Sequence, residues 1–166
     1  MKVNILLATY KGAQYLTEQL TSIGNQTYTN WVLWVSDDGS QDETLSILLK
    51  FQQQWGESKL ILLKGPQQGF VANFMSLISR VSLEGDYYAY ADQDDSWLPQ
   101  KLTCAVHCLS ARPQTQPALY AARTTLIDEH GKVLGKSPLF KRPPHFLNAL
   151  VQNIGGGNTM VFNRAA

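Results

Sequence analysis

A chain of 166 residues, 44% of them hydrophobic, is long enough to close one core of its own. Its formal net charge is +1, without the basic excess of a general nucleic-acid binder, so no nucleic-acid partner is expected. Its two cysteines form no disulfide framework and fit a reducing compartment, and no apolar run approaches the roughly 18 residues of a membrane span.

The N-terminal MKVNILLATY has one lysine and no signal-peptide cleavage pattern, so a cytoplasmic domain is expected. Within it, Val3 to Ala8 is a near-continuous apolar run, the mark of a strand buried on both faces. Leu16, Leu20 and Ile23 recur at helical spacing, and Gly24 ends that helix. Trp31 to Val35 predicts a second strand running into Asp37-Asp38-Gly39-Ser40. Ser40 and Glu43 have capping-box spacing for a helix carrying Leu45, Leu48 and Leu49. Lys59 to Leu63 predicts a third strand, and Gly69 opens a helix with the stripe Phe70, Phe74, Leu77, Ile78 and Val81. Asp86 to Ala91 predicts a fourth strand. The acidic stretch YADQDDSWLP (residues 90–99) follows, then a helix that starts at Pro99.

In that helix Leu102, Ala105, Val106 and Leu109 predict the apolar stripe, with Cys104 and Cys108 at its flank. The cysteines and His107 lack the further partners that a zinc site needs. Beyond Arg112 the chain is richer in Pro and Gly. Thr125 to Ile127 and Val133-Leu134 predict short strands around a turn at Asp128-Glu129-His130-Gly131. Arg123 reads as solvated, and PPHFLNALVQN, with His145 and Asn148, as a short helix. Gly155 to Gly157 either lets a backbone approach a bound sugar or serves as a flexible connection.

Repeated strand–helix units predict an α/β fold, a mostly parallel sheet flanked by helices on both faces. Ligands bind beyond the carboxyl ends of such strands. Thr9-Tyr10, Asp37-Asp38-Gly39, Gly65 to Gly69 and Asp92 to Asp95 should therefore open on one rim. Asp is a common turn residue at either rim, but here the polar chemistry gathers at one. An aspartate can accept from a base's imino N–H, and a ring can support the base by stacking. Asp92 and Asp94 face one side if extended backbone continues past the strand. Their oxygens suit Mg2+ or Mn2+ shared with phosphate oxygens and water, and the Gly69 helix start could add N–H groups toward an anion. The constellation reads as a site for a nucleoside diphosphate bridged by a metal.

The stretches ILLATYKGAQYLTEQLTSIGNQTYTNWVLWVSDDGSQDET, YADQDDSWLPQKL and GGGNTMVFNR resemble the nucleotide-binding half of a bacterial GT-A glycosyltransferase. The resemblance is to the inverting glycosyltransferase family 2, especially its rhamnosyltransferase-like members in O-antigen and capsule assembly. It implies that Thr9, Tyr10 and Asp38 contact the base, and that Asn73 and Gln93 join the nucleotide-sugar set. It further implies that Asp92 lies near ribose and metal, that Asp94 coordinates Mg2+ or Mn2+, and that Asp95 and Trp97 shape the loop. The implied reaction moves a sugar from a UDP- or dTDP-sugar to a hydroxyl of a lipid-linked glycan, with inversion, near the cytoplasmic membrane face. Where many relatives carry Arg-Asn, this chain has Ala72-Asn73, leaving no arginine contact there.

The family's general base lies on a segment after the strand begun by TMVF, so it is expected beyond Ala166, in a longer protein. Met160 to Phe162 is then expected to form an exposed apolar edge, with Asp128 or Glu129 the first substitutes if the base is internal. A receiver or phosphohydrolase domain would put a carboxylate after the first strand, where this chain has Ala8-Thr9-Tyr10. The other alternative is a sugar-nucleotide-binding module without transfer activity.

Overall fold

The computed structural model describes residues 1–81, 85–139 and 155–166. Four strand–helix units come first: β1 (Val3–Thr9) and α1 (Leu16–Gly24), β2 (Trp31–Asp37) and α2 (Thr44–Trp55), β3 (Leu60–Lys64) and α3 (Phe70–Arg80), β4 (Tyr87–Ala91) and α4 (Lys101–Ser110). β5 (Leu119–Tyr120), β6 (Thr125–Ile127), β7 (Val133–Lys136) and β8 (Val161–Asn163) follow, a 3-10 turn at Gly157–Thr159 preceding β8. Among the described residues one sheet has the order β3-β2-β1-β4-β8-β5. β1 to β4 are mutually parallel, and β8 runs antiparallel between β4 and β5. The α/β reading holds.

Both faces of the sheet are covered, which is why β1 reads as an unbroken apolar run. Val3, Ile5 and Leu7 point to one face and pack with Leu16, Leu20, Leu48, Leu102 and Val106. Leu6 points to the other, against Leu77, Val81 and Tyr88. The parallel register sets Thr9 beside Asp37, and Ala91 beside Leu7, so these strands end at a common rim.

Several local expectations change. Ser40 and Glu43 form no capping box. The Ser40 hydroxyl donates instead to Asp37 Oδ2 (2.6 Å), while Asp42 Oδ1 accepts from the Thr44 N–H (3.2 Å) at the helix start. On α2, Leu48 is buried, but Leu45 and Leu49 face solvent; Ile47, Phe51 and Trp55 supply the packing instead. On α3, Phe70 and Ile78 are likewise exposed. The α4 stripe of Leu102, Ala105, Val106 and Leu109 is buried, and both cysteines are free and exposed on its flank.

The segment Met160 to Phe162 is not an exposed edge. β8 is hydrogen-bonded on both sides, Val161 is fully buried, and Phe162 stacks on Tyr88 with ring centroids 5.7 Å apart. The β6–β7 hairpin forms as expected, its turn closed by Asp128 Oδ1, which accepts from the N–H groups of His130 and Lys132 (both 2.9 Å). Exposed Arg123 donates to the Ser137 carbonyl. His145 and Asn148 lie outside the described residues.

Candidate functional site

The rim holds a cavity of about 920 Å³, and Thr9, Tyr10, Asp38, Asn73, Asp92, Gln93 and Asp94 all line it. Four strand ends separated by up to 82 residues of sequence thus meet at one place, because all four strands run the same way. Gln41, Gln67, Phe70 and Phe74 also line it, without having been singled out as ligand contacts from the sequence.

The carboxylates after β2 are held by the protein itself. Buried Asp37 accepts from Thr9 Oγ1 (2.9 Å), Gly39 N (3.1 Å), Ser40 N (2.8 Å) and Ser40 Oγ (2.6 Å). The Thr9 hydroxyl proton is therefore committed to Asp37. Ser40 Oγ in turn accepts from the Lys11 N–H (2.9 Å), joining the loop after β1 to the loop after β2. Asp38 accepts from Gln67 N (2.6 Å) through Oδ1 and from Gly69 N (2.8 Å) through Oδ2. Each oxygen keeps one further acceptor position. The Gly69 N–H that was expected to face an anion is used by this contact.

Asn73, also buried, donates through Nδ2 to the Ser36 carbonyl (2.8 Å), which orients the amide and leaves Oδ1 with no partner. Gly65 is required for this packing: a Cβ there would lie 2.7 Å from Asn73 Oδ1 and 2.8 Å from the Asp37 carbonyl. Gln93 joins the loop after β4 to the loop after β1, accepting from Tyr10 N (2.9 Å) and donating to Tyr10 O (3.0 Å). That double contact fixes the backbone of Tyr10, whose side chain stays half exposed.

The acidic loop after β4 differs. Burial pushes the Asp92 carboxyl above the usual carboxylate range, and the charges of Asp95 and Asp94 push it further, opposed by Lys101. Burial also raises Asp95; a hydrogen bond with the Asn158 side chain and the charge of Lys101 oppose this, and Asp94 reinforces it. Asp95 Oδ2 and Trp97 Nε1 are both buried without a partner. Lys101 is pulled down to about 7 by burial, with Asp95 and Asp92 pulling the other way. Its ammonium sits 3.5 Å from the Trp97 ring centroid and donates to the Asn158 carbonyl. It was missed in the sequence, although it is the lone basic residue in the stretch 90–102.

One lysine cannot balance three neighbouring carboxylates, and that imbalance is what a divalent cation would answer. The donors here are hard oxygens. Among the described residues no three Asp, Glu, His or Cys side chains converge as a metal cage. The chain could therefore give an ion one or two carboxylates, the number that suits Mg2+ completed by phosphates and water. The residues fit such an ion.

The chain is similar to known glycosyltransferases. The chain is 39% identical over 105 residues to dTDP-rhamnosyl transferase RfbG of Shigella flexneri, covering 62% of the chain and 36% of that protein. It is 25% identical over 142 residues to the Escherichia coli UDP-Glc:alpha-D-GlcNAc-diphosphoundecaprenol beta-1,3-glucosyltransferase WfaP, covering 86% of the chain and 52% of that protein. The chain thus spans about a third to a half of the length of these curated relatives. Among solved structures, S. aureus TarS 1-349 in complex with UDP-GlcNAc superposes with a TM-score of 0.54 at 25% identity, over 67% of this chain and 32% of that one. The model of the family described as Glycosyl transferase family 2 matches residues 4–163, nearly the whole chain, and the chain belongs to that family.

Proposed function

We propose that the cavity binds a nucleoside-diphosphate sugar with a uracil or thymine base. In the whole protein, the sugar is transferred with inversion to a hydroxyl of a lipid-linked glycan. The observation that carries the reading is the pairing of two chemistries in one cavity: Tyr10, Asp38 and Asn73, and beside them Asp92 and Asp94. The first set suits a base, offering a ring and acceptors for an imino N–H. The second suits a diphosphate whose charge needs an opposing cation. The similarity to a dTDP-rhamnosyl transferase and to a UDP-Glc-dependent enzyme acting on a diphosphoundecaprenol supports the donor class and the lipid-linked acceptor.

Asp94, with Asp92, would hold Mg2+ or Mn2+, which supplies charge neutralisation for the departing diphosphate. The acceptor hydroxyl attacks the anomeric carbon from the face opposite the diphosphate. The carbon–oxygen bond to the diphosphate breaks, and a base takes the hydroxyl proton. Among the described residues the carboxylates that line the cavity are Asp38, Asp92 and Asp94, each already assigned above. Asp128 and exposed Glu129 sit in the turn of the β6–β7 hairpin. This distribution favours a donor-binding role for the chain taken alone, with the base and acceptor surface supplied elsewhere in the whole protein. Among the described residues no helix is long and apolar enough to cross a membrane. We place the reaction at the cytoplasmic membrane face, where a lipid-linked acceptor would be met.

Calorimetry with UDP, dTDP and CDP, in Mn2+ and after chelation, tests the reading. UDP and dTDP should bind in Mn2+, more tightly than CDP, which lacks the imino donor, and chelation should weaken both. Equal affinity after chelation would remove the ion from the site.

A further inference from the structure

Phe70 opens α3 and is 78% exposed, the most open large apolar side chain among the described residues. On the same helix Phe74 meets the Tyr90 ring edge-on at 5.7 Å and Asn73 and Leu77 are buried, while Val71 and Met75 are also exposed but do not line the cavity. Phe70 has no aromatic partner among the described residues.

Its position is nonetheless set firmly. Gly69, just before it, has φ +89°, and Gln67 holds φ +60° although it is not a glycine. The N–H groups of both are tied to the Asp38 carboxylate. A non-glycine residue kept in the left-handed region by a buried carboxylate is backbone strain of the kind that collects at binding sites. This tether delivers a bare phenyl ring to the wall of the cavity. Tyr10, the other exposed ring in the lining, is 50% open and is fixed through its backbone by Gln93. Two solvent-exposed rings on pinned backbone thus share a cavity whose other lining groups are largely polar. The tether keeps Phe70 on the side of β1 where β2 and β3 end, whereas Asp92 and Asp94 follow β4 on its other side.

We propose that Phe70 is a base-stacking residue, which together with Tyr10 provides the aromatic surface for the nucleobase. The inference rests on the nucleoside-diphosphate reading of the cavity and adds a residue to it. Stacking uses the face of the base and is indifferent to its hydrogen-bonding edge. Phe70 therefore supplies affinity for the base, and the choice between bases falls to the polar groups.

The test compares Phe70→Ala and Phe70→Trp with the unaltered chain, reading dissociation constants for UDP and CDP, and for inorganic diphosphate by competition with UDP. Phe70→Ala should weaken UDP and CDP by a common factor of roughly tenfold, within the range measured for base–aromatic stacking. Inorganic diphosphate should be unchanged, and Phe70→Trp should keep UDP affinity. Because the side chain is exposed, the melting temperature should not move. Unchanged UDP affinity in Phe70→Ala overturns the inference, as does equal weakening of UDP and inorganic diphosphate, which would mark a structural role. Failure of the unaltered chain to bind any of the three ligands instead overturns the cavity reading and this inference with it.

Discussion

The two acidic segments of the cavity, Asp37-Asp38 after β2 and Asp92 to Asp95 after β4, look alike in sequence and are opposite in structure. The first is satisfied from within: Asp37 takes four hydrogen bonds and Asp38 two, all from the protein. The second is short of partners, with Asp95 Oδ2 buried and unpaired and the Asp92 carboxyl pushed up by burial and by its neighbours' charges. A carboxylate whose acceptor positions are filled by backbone N–H groups holds loops in place. One left among like charges is available to a ligand that brings positive charge. Carboxylate count says little about function until the donors around each oxygen are known.

The most damaging way to break this contrast is Asp37→Ala. It removes the acceptor for buried donors from Thr9, Gly39 and Ser40, and should lower stability by about 3 kcal/mol in chemical denaturation. A loss below about 0.5 kcal/mol, the range of ordinary surface substitutions, would show that Asp37 is not structural.

The boundary case is Asp38→Ala. Removing the anchor of the 67–69 loop should weaken UDP binding by roughly 1–3 kcal/mol. The ratio of UDP to CDP affinity sharpens the comparison: if it collapses, Asp38 also reads the base through its remaining acceptor positions. If it survives while affinity falls, Asp38 acts only through the loop.

Asp94→Asn should have the smallest effect on the fold, within about 0.5 kcal/mol of stability, since the side chain is exposed. It should weaken Mn2+-dependent UDP binding by on the order of 1–3 kcal/mol and leave binding in chelator unaltered. A large stability loss with unaltered metal dependence would reverse the roles given to the two segments.

How much of this was legible in the sequence follows from the distance over which each feature is decided. The helix stripe Leu102, Ala105, Val106 and Leu109 could be read because 3.6-residue spacing is local geometry. So could the gathering of four strand ends at one rim, since parallel strands of repeated strand–helix units must finish together. The capping box at Ser40 failed because a closer competitor, Asp37, drew its hydroxyl. Phe70 and Leu49 were read as apolar stripe and turned out exposed, because periodicity marks faces of a helix but not which face meets the sheet. Lys101 went unnoticed because its hydrogen-bond acceptor, the Asn158 carbonyl, and its burial are brought to it by folding.

By itself, then, the sequence determined the alternation of strands and helices, the burial of β1 on both faces and the aspartates that would reach the rim. These depend on side-chain period and on handed, short connections. Only the tertiary structure decided that β8 lies between β4 and β5, that Gln93 clasps Tyr10, that Asp38 ties down the N–H groups of Gln67 and Gly69, and that Asp95 Oδ2 is left buried and unpaired. Most of those outcomes are hydrogen bonds or pairings between groups some thirty or more residues apart. Their existence depends on where the whole chain puts those groups, and no local pattern of residues encodes that.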